Sequence, residues 1–167
     1  MDRIEAVAEY MRAHGLTLVT AESCTAGLIS ARLADVPGAG ALLDCAFVVY
    51  SPEAKQRCVG VSAQTLEHHN LTSEAVAREM VLGAVCRSPA NAAISNTGVV
   101  DDTDDKIPSG TQCFAWAFKV DQGPPRVFTE TRRFQGDRHA IRKAAAEYAL
   151  TRLADHHGTL KTGTSSS

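Results

Sequence analysis

The sequence predicts a single-domain α/β protein, a three-layer α/β/α sandwich around a mixed sheet. Three observations carry that expectation. Helical-period segments alternate with short apolar runs over the first hundred residues, as in chains that lay helices on both faces of a sheet. Two apolar runs then flank a Gly-Pro-rich turn, which reads as a hairpin added to that sheet. The length of 167 residues with 44% hydrophobic content suits one domain, which at this size buries roughly 70% of its unfolded surface and needs no disulfide or metal staple.

In chain order, Ile4, Val7, Ala8 and Met11 recur at helical spacing, and Gly15 stands where such a helix stops. Leu16 to about Thr20 reads as a strand, and a second helix is expected from near Cys24 to the turn Asp35-Val36-Pro37-Gly38. Cys45 to Tyr50 is a continuous apolar run, predicted as a strand buried on both faces. Ser51 and Pro52 then supply an N-cap and a first helical residue, which puts Lys55 one turn into a helix. Ser62 opens a short helix through His68, and Ser73 caps a longer one with Val76, Ala77, Met80, Val81, Ala84 and Val85 on one face. Ala92 to Ser95 reads as a strand leading into Asn96-Thr97-Gly98, and the aspartate-rich segment Val99 to Gly110 as a loop. Thr111 to Val120 and Arg126 to Phe134 are the hairpin strands around a five-residue turn. The last helix is expected from about Asp137 to Asp155. The domain is accordingly placed at residues 1–157, and the Gly/Ser/Thr-rich residues 158–167 as a disordered tail.

Composition removes several classes of function. A formal net charge of −2 gives no overall attraction to nucleic acid or to an anionic membrane. No apolar run approaches the roughly 20 residues of a membrane span. Five cysteines, odd in number and without a CxxC pair, together with no recognisable secretory leader, predict a cytoplasmic location. The six histidines include two adjacent pairs that cannot face one ligand on a helix, so no metal site is expected. The sequence has neither a GxGxxG nor a P-loop lysine motif, which leaves dinucleotide and NTP chemistry without support.

The chemistry concentrates in Thr20-Ala21-Glu22-Ser23-Cys24-Thr25-Ala26-Gly27, a polar turn between strand and helix. A helix start there is expected to leave backbone N–H groups free for an anion or an oxyanion. Serine needs a base to become a nucleophile, and a lysine with a lowered pKa is one such base. Lys55 follows its own strand end, as Ser23 does, and carboxyl ends of neighbouring parallel strands share one edge of a sheet. Tyr50 sits at that strand end, where its phenol could relay a proton. Read from spacing alone, Lys55 is more simply a solvated helix lysine, and Cys24 is a rival nucleophile activated by the helix start.

Thr20 to Leu28, Asp35-Val36-Pro37-Gly38, Val49-Tyr50-Ser51-Pro52-Glu53-Ala54-Lys55, Gly60-Val61-Ser62 and Ser73-Glu74-Ala75-Val76-Ala77, in this order, resemble the C-terminal domain of the CinA family. The resemblance implies an amidohydrolase that converts nicotinamide mononucleotide to the acid and ammonia, with Ser23 as nucleophile, Lys55 as general base and Tyr50 assisting. It implies that Glu22, Cys24, Thr25, Ala26, Gly27, Thr97 and Gly98 surround a small-molecule substrate, that no cofactor or metal is needed, and that the protein is a homo-oligomer. One segment departs from the family pattern. Where relatives carry a Gly-rich Ile-Ala-Gly-Pro loop after the Thr-Gly, this chain has Asp101, Asp102, Asp104 and Asp105. At an effective dielectric of about 20, one like-charge pair 4 Å apart costs about 4 kcal/mol before screening, so a phosphate near this loop meets repulsion. The departure opens a second reading, a ligand-binding or regulatory module on the same fold.

Overall fold

The computed structural model describes residues 1–102 and 105–162. The first helix, α1 (Arg3–Ala13), buries the expected stripe of Ile4, Val7, Ala8 and Met11. Strand β1 (Leu18–Glu22) is buried along its whole length. It leads through a turn into α2 (Leu28–Ala34) and, after a single 3-10 turn, into β2 (Leu43–Val48). Ser51 caps α3 (Pro52–Val59) as expected, its Oγ accepting from the Ala54 N–H at 3.0 Å. Ser62 and Ser73 likewise cap α4 (Ala63–His68) and α5 (Glu74–Cys86). Strands β3 (Ala92–Gly98), β4 (Thr111–Phe118) and β5 (Arg126–Arg133) and the helix α6 (Arg138–Thr162) complete the chain.

The five strands form one mixed sheet in the order β2-β1-β3-β4-β5. β1 runs parallel to both β2 and β3, whereas β4 is antiparallel to β3 and to β5. One core lies between the sheet and α1, α2 and α6, built on Leu18, Ile94, Phe114, Trp116 and Leu150. A second lies between the sheet and α3 and α5, where Val19, Ala21, Ala93 and Ala115 meet Val76 and Met80. This is the predicted three-layer sandwich with a mixed sheet.

Four local expectations are corrected. The run at Cys45–Tyr50 is not a strand buried on both faces: β2 is a sheet edge whose Asp44, Ala46 and Val48 are exposed, and Tyr50 lies beyond its end. The second helix begins at Leu28 rather than near Cys24, because Gly27 takes a left-handed φ of 97° immediately before it. The hairpin strands are shorter than predicted, and residues 119–125 connect them. The last helix does not end near Asp155; α6 carries on through Gly158 to Thr162, with Leu160 against the first core. The first half of the predicted disordered tail is therefore helical. Residues 163–167 of that tail and residues 103–104 of the aspartate-rich segment lie outside the described residues.

Candidate active site

Alternation along β1 separates the two jobs of its carboxyl end. Leu18 faces the α1/α2/α6 core, and Val19 and Ala21 face the α3/α5 core. Glu22 continues the first face and Ser23 the second. Glu22 is fully buried, and its carboxylate fills the start of α2. Oε1 accepts from Thr25 Oγ1 at 2.7 Å and from the N–H groups of Gly27 and Ile29 at 3.1 and 2.9 Å. Oε2 accepts from Thr20 Oγ1 at 2.8 Å and the Ser30 N–H at 3.2 Å. The expected free N–H groups at this helix start are thus satisfied by the protein's own anion, as the helix dipole favours. Neither Glu22 nor the Thr25 hydroxyl is available to a substrate.

The rest of the turn is held from β3 and β4. Asn96 accepts the Ser23 N–H on its carbonyl at 2.9 Å and the Thr25 N–H on Oδ1 at 3.0 Å. Its Nδ2 donates to Gln112 Oε1 at 2.9 Å, and Gln112 Nε2 donates to Cys24 Sγ at 3.4 Å. Arg142 on α6 clamps the turn from outside, donating to the Cys24 and Thr25 carbonyls at 2.9 and 3.3 Å. Ala26 adopts a φ of 49°, a left-handed conformation costly for a residue with a Cβ. Among the described residues the Cys24 N–H has no hydrogen-bond partner. Burial pushes the Cys24 thiol pKa up, against smaller opposing effects of the Gln112 hydrogen bond and of Arg142. The thiol is therefore a protonated, inward-facing group, and the rival nucleophile loses its physical basis.

Lys55, on α3, reaches Ser23 from the face of the sheet that Val19 and Ala21 share. Its side chain is 1% exposed. Nζ lies 3.1 Å from Ser23 Oγ and 3.2 Å from each of the Val49 and Tyr50 carbonyls. Those three groups are neutral, and burial lowers the Lys55 pKa. A neutral amine has two N–H donors and one lone pair. In that neutral form the two carbonyls would accept both N–H groups and leave the lone pair for the serine hydroxyl. Tyr50 thus meets Lys55 through its main chain. Its side chain is 59% exposed and its phenol meets Arg138 instead.

Ser23 and Lys55 lie in a cavity of about 630 Å³ that Cys24 and Tyr50 also line. Thr97 and Gly98, which the resemblance places around a substrate, form part of its wall, together with Asn70, Leu71 and Asp105. Ala26 and Gly27 shape the turn without lining the cavity. The serine and lysine were legible because each follows a strand end. Asn96 and Gln112 were not singled out, and the signal was there: two polar residues inside otherwise apolar strand runs.

Fold and site together define an α/β protein with a buried serine–lysine pair at the carboxyl edge of parallel strands, an arrangement suited to acyl transfer. The chain belongs to the CinA C-terminal domain family, whose model matches residues 2–157. Nicotinamide-nucleotide amidohydrolase PncC of Escherichia coli K12 is 38% identical over 155 residues, 92% of each protein. A CinA-like protein of Chlorobaculum tepidum is 41% identical over 154 residues, 89% of this chain but 36% of that protein. The chain thus spans about a third of its longer relatives. A solved structure, the competence damage-inducible protein A of Klebsiella pneumoniae, superposes with a TM-score of 0.85 at 34% identity, covering 95% of this chain and 98% of the other.

Proposed function

We propose that this protein is an amidohydrolase that cleaves the carboxamide of nicotinamide mononucleotide, as the name of its Escherichia coli relative says of that enzyme, through a serine–lysine mechanism. The observation that carries it is Lys55 Nζ, buried among neutral groups and 3.1 Å from Ser23 Oγ. A lysine in that setting is a base rather than a counter-ion.

Lys55 takes the Ser23 proton as Oγ attacks the carboxamide carbon. The tetrahedral oxyanion is received by the Cys24 N–H, the amide of the residue after the nucleophile, which is where strand-to-helix serine hydrolases place one donor. The Lys55 proton passes to the departing nitrogen, and ammonia leaves an ester on Ser23. Water, deprotonated by Lys55, then hydrolyses the ester, and the proton returns to Ser23. Tyr50 assists by holding Lys55 with its carbonyl, and Thr97 and Gly98 bind the rest of the substrate. Glu22 and Thr25 act as scaffold for the turn. The family resemblance supports a homo-oligomer working in the cytoplasm.

The purified protein should release ammonia from nicotinamide mononucleotide, and Ser23→Ala should lower that rate by more than about 10³-fold while the circular dichroism spectrum stays unchanged. A folded wild type that releases none sinks the amidase reading. That result would favour the second reading, a ligand-binding or regulatory module, which the carboxylate of Asp105 at the cavity wall supports.

A further inference from the structure

The cavity is polarised between a closed end and an open end. Ser23 and Lys55 are buried at the closed end. Tyr50 and Asp105 line the cavity too, and both are exposed. If the carboxamide lies at Ser23, the remainder of the substrate points to this open end. Arg138 stands there, against the Tyr50 phenol. Its guanidinium already has an anion: Nη2 donates to Asp101 Oδ2 at 3.0 Å. Arg138 lies one turn before Arg142 on α6, which holds the Cys24 carbonyl, and Asp101 lies two residues beyond Val99 of the cavity wall.

Asp101 is presented by an anchored stem. The Val99 N–H donates to the Thr111 carbonyl and the Gly110 N–H to the Val99 carbonyl, each at 3.0 Å, and Ser109 Oγ donates to the Val100 carbonyl at 3.0 Å. Asp105 adds a second carboxylate on the cavity wall. The other cations nearby have work of their own. Arg142 is committed to the Cys24 and Thr25 carbonyls, and Lys55 to Ser23 and two carbonyls. Lys106, on the wall beside Asp105, also has a partner.

We infer that Asp101 sets the charge selectivity of this site by occupying Arg138, so that the protein binds nicotinamide carboxamides bearing a phosphate more weakly than the cavity would otherwise allow and accepts the phosphate-free nucleoside, a pyridinium cation, on nearly equal terms. A phosphate that reaches Arg138 must displace Asp101 or bear its repulsion; a riboside meets neither cost. The inference rests on the amidase reading for the orientation of the ligand.

The test measures binding by calorimetry at fixed ionic strength in the Ser23→Ala protein, where turnover does not interfere. The probes are nicotinamide mononucleotide and nicotinamide riboside. Exposed ion pairs are weak, so Asp101→Asn should tighten mononucleotide binding about three- to fivefold and give the cationic riboside no gain. Arg138→Gln should weaken the mononucleotide alone, and in that background Asp101→Asn should gain less, since the two residues act as a pair. Equal changes for both ligands, no change for the mononucleotide, or an undiminished gain without Arg138 would each overturn the inference, as would the failure of every variant to bind either ligand. Ligands that bind selectively as described to a wild type releasing no ammonia would support the charge selection and sink only the amidase reading.

Discussion

A buried lysine surrounded by neutral groups is costly, and that cost is what singles out Lys55 in the proposed reaction. Lys55 has two carbonyls and one hydroxyl around Nζ, enough to orient a neutral amine but with no charge to hold a cation. Cys24, one residue from Ser23, shows the opposite treatment. Its thiol is buried, kept protonated by that burial, and turned toward Gln112, while its main-chain N–H has no partner among the described residues. The backbone of Cys24 matters to the proposed reaction and the sulfur does not. Cys24→Ser should therefore keep kcat/KM for amide hydrolysis within about threefold of wild type, since serine can accept from Gln112 in the same place. A collapse of activity in a folded Cys24→Ser protein would restore the thiol as nucleophile. The sequence offered Ser23 and Cys24 as rivals because adjacent residues share the same turn. Their surroundings separate them: Lys55 Nζ stands 3.1 Å from Ser23 Oγ, whereas Gln112 holds the Cys24 thiol.

At the scale of elements, two helices hold the pair of functional groups, each by a different device. The start of α2 is organised by Glu22, which accepts five hydrogen bonds from three main-chain and two side-chain donors. Glu22→Gln replaces one acceptor oxygen with an NH₂ group facing the Ser30 N–H and the Thr20 hydroxyl. Hydrogen bonds to charged groups contribute about 1.5–3 kcal/mol each, and an unmatched buried donor costs comparably. A loss of about 2–3 kcal/mol in urea unfolding is expected, with ammonia release falling as the Ser23 turn loosens. The acidic residue was visible in the sequence, but a strand-to-helix turn reads as an open anion site unless the donor count includes the carboxylate beneath it.

Helix α3 carries Lys55 and is set by close packing on α5. A Cβ built on Gly83 would stand 1.7 Å from the Val59 carbonyl oxygen and 2.6 Å from its carbon. Both atoms are main chain, so nothing can rotate away. Gly83→Ala must push α3 outward. Overpacking of this kind costs about 1–3 kcal/mol, and at 2–4 °C per kcal/mol for a chain of this size the Tm should fall by roughly 2–12 °C. Because Lys55 moves with α3, kcat should drop as well. A Gly83→Ala protein with unchanged Tm would mean that the α3–α5 contact is looser than described. In sequence this glycine sits inside a helical run, where it reads only as a mild weakening of the helix.

Taken whole, the molecule's layered architecture was the most legible feature, because alternating helical and apolar segments followed by a hairpin leave few ways to cover both faces of a sheet. The pairing of Ser23 with Lys55 followed from it, since β1 and β2 are parallel neighbours. What escaped was set by context: β2 became an exposed edge although its composition suits a buried strand, and Gly158 stayed helical because α6 packs along the first core. The same burial that would suit Lys55 to the proposed role of base also couples the site to global stability. Its pKa is lower in the folded protein than in the unfolded chain, where it is about 10.4. Below the folded pKa the lysine is charged in both states and its burial penalty is full and constant. Between the folded and unfolded pKa values the unfolded chain binds the extra proton, so stability rises with pH, by at most about 1.4 kcal/mol per unit. The buried thiols of Cys24 and Cys113, whose pKa values burial raises, act in the opposite sense above about pH 8.5, so the wild-type curve alone mixes the two. Lys55→Met isolates the lysine. The stability of wild type relative to Lys55→Met, from urea unfolding at matched pH, should climb with pH through that window, and amidase activity of the wild type should climb with it. A difference that stays flat from pH 6 to 10 would mean that Lys55 titrates alike in both states, and a lysine of that kind would be charged at neutral pH and unable to take the Ser23 proton.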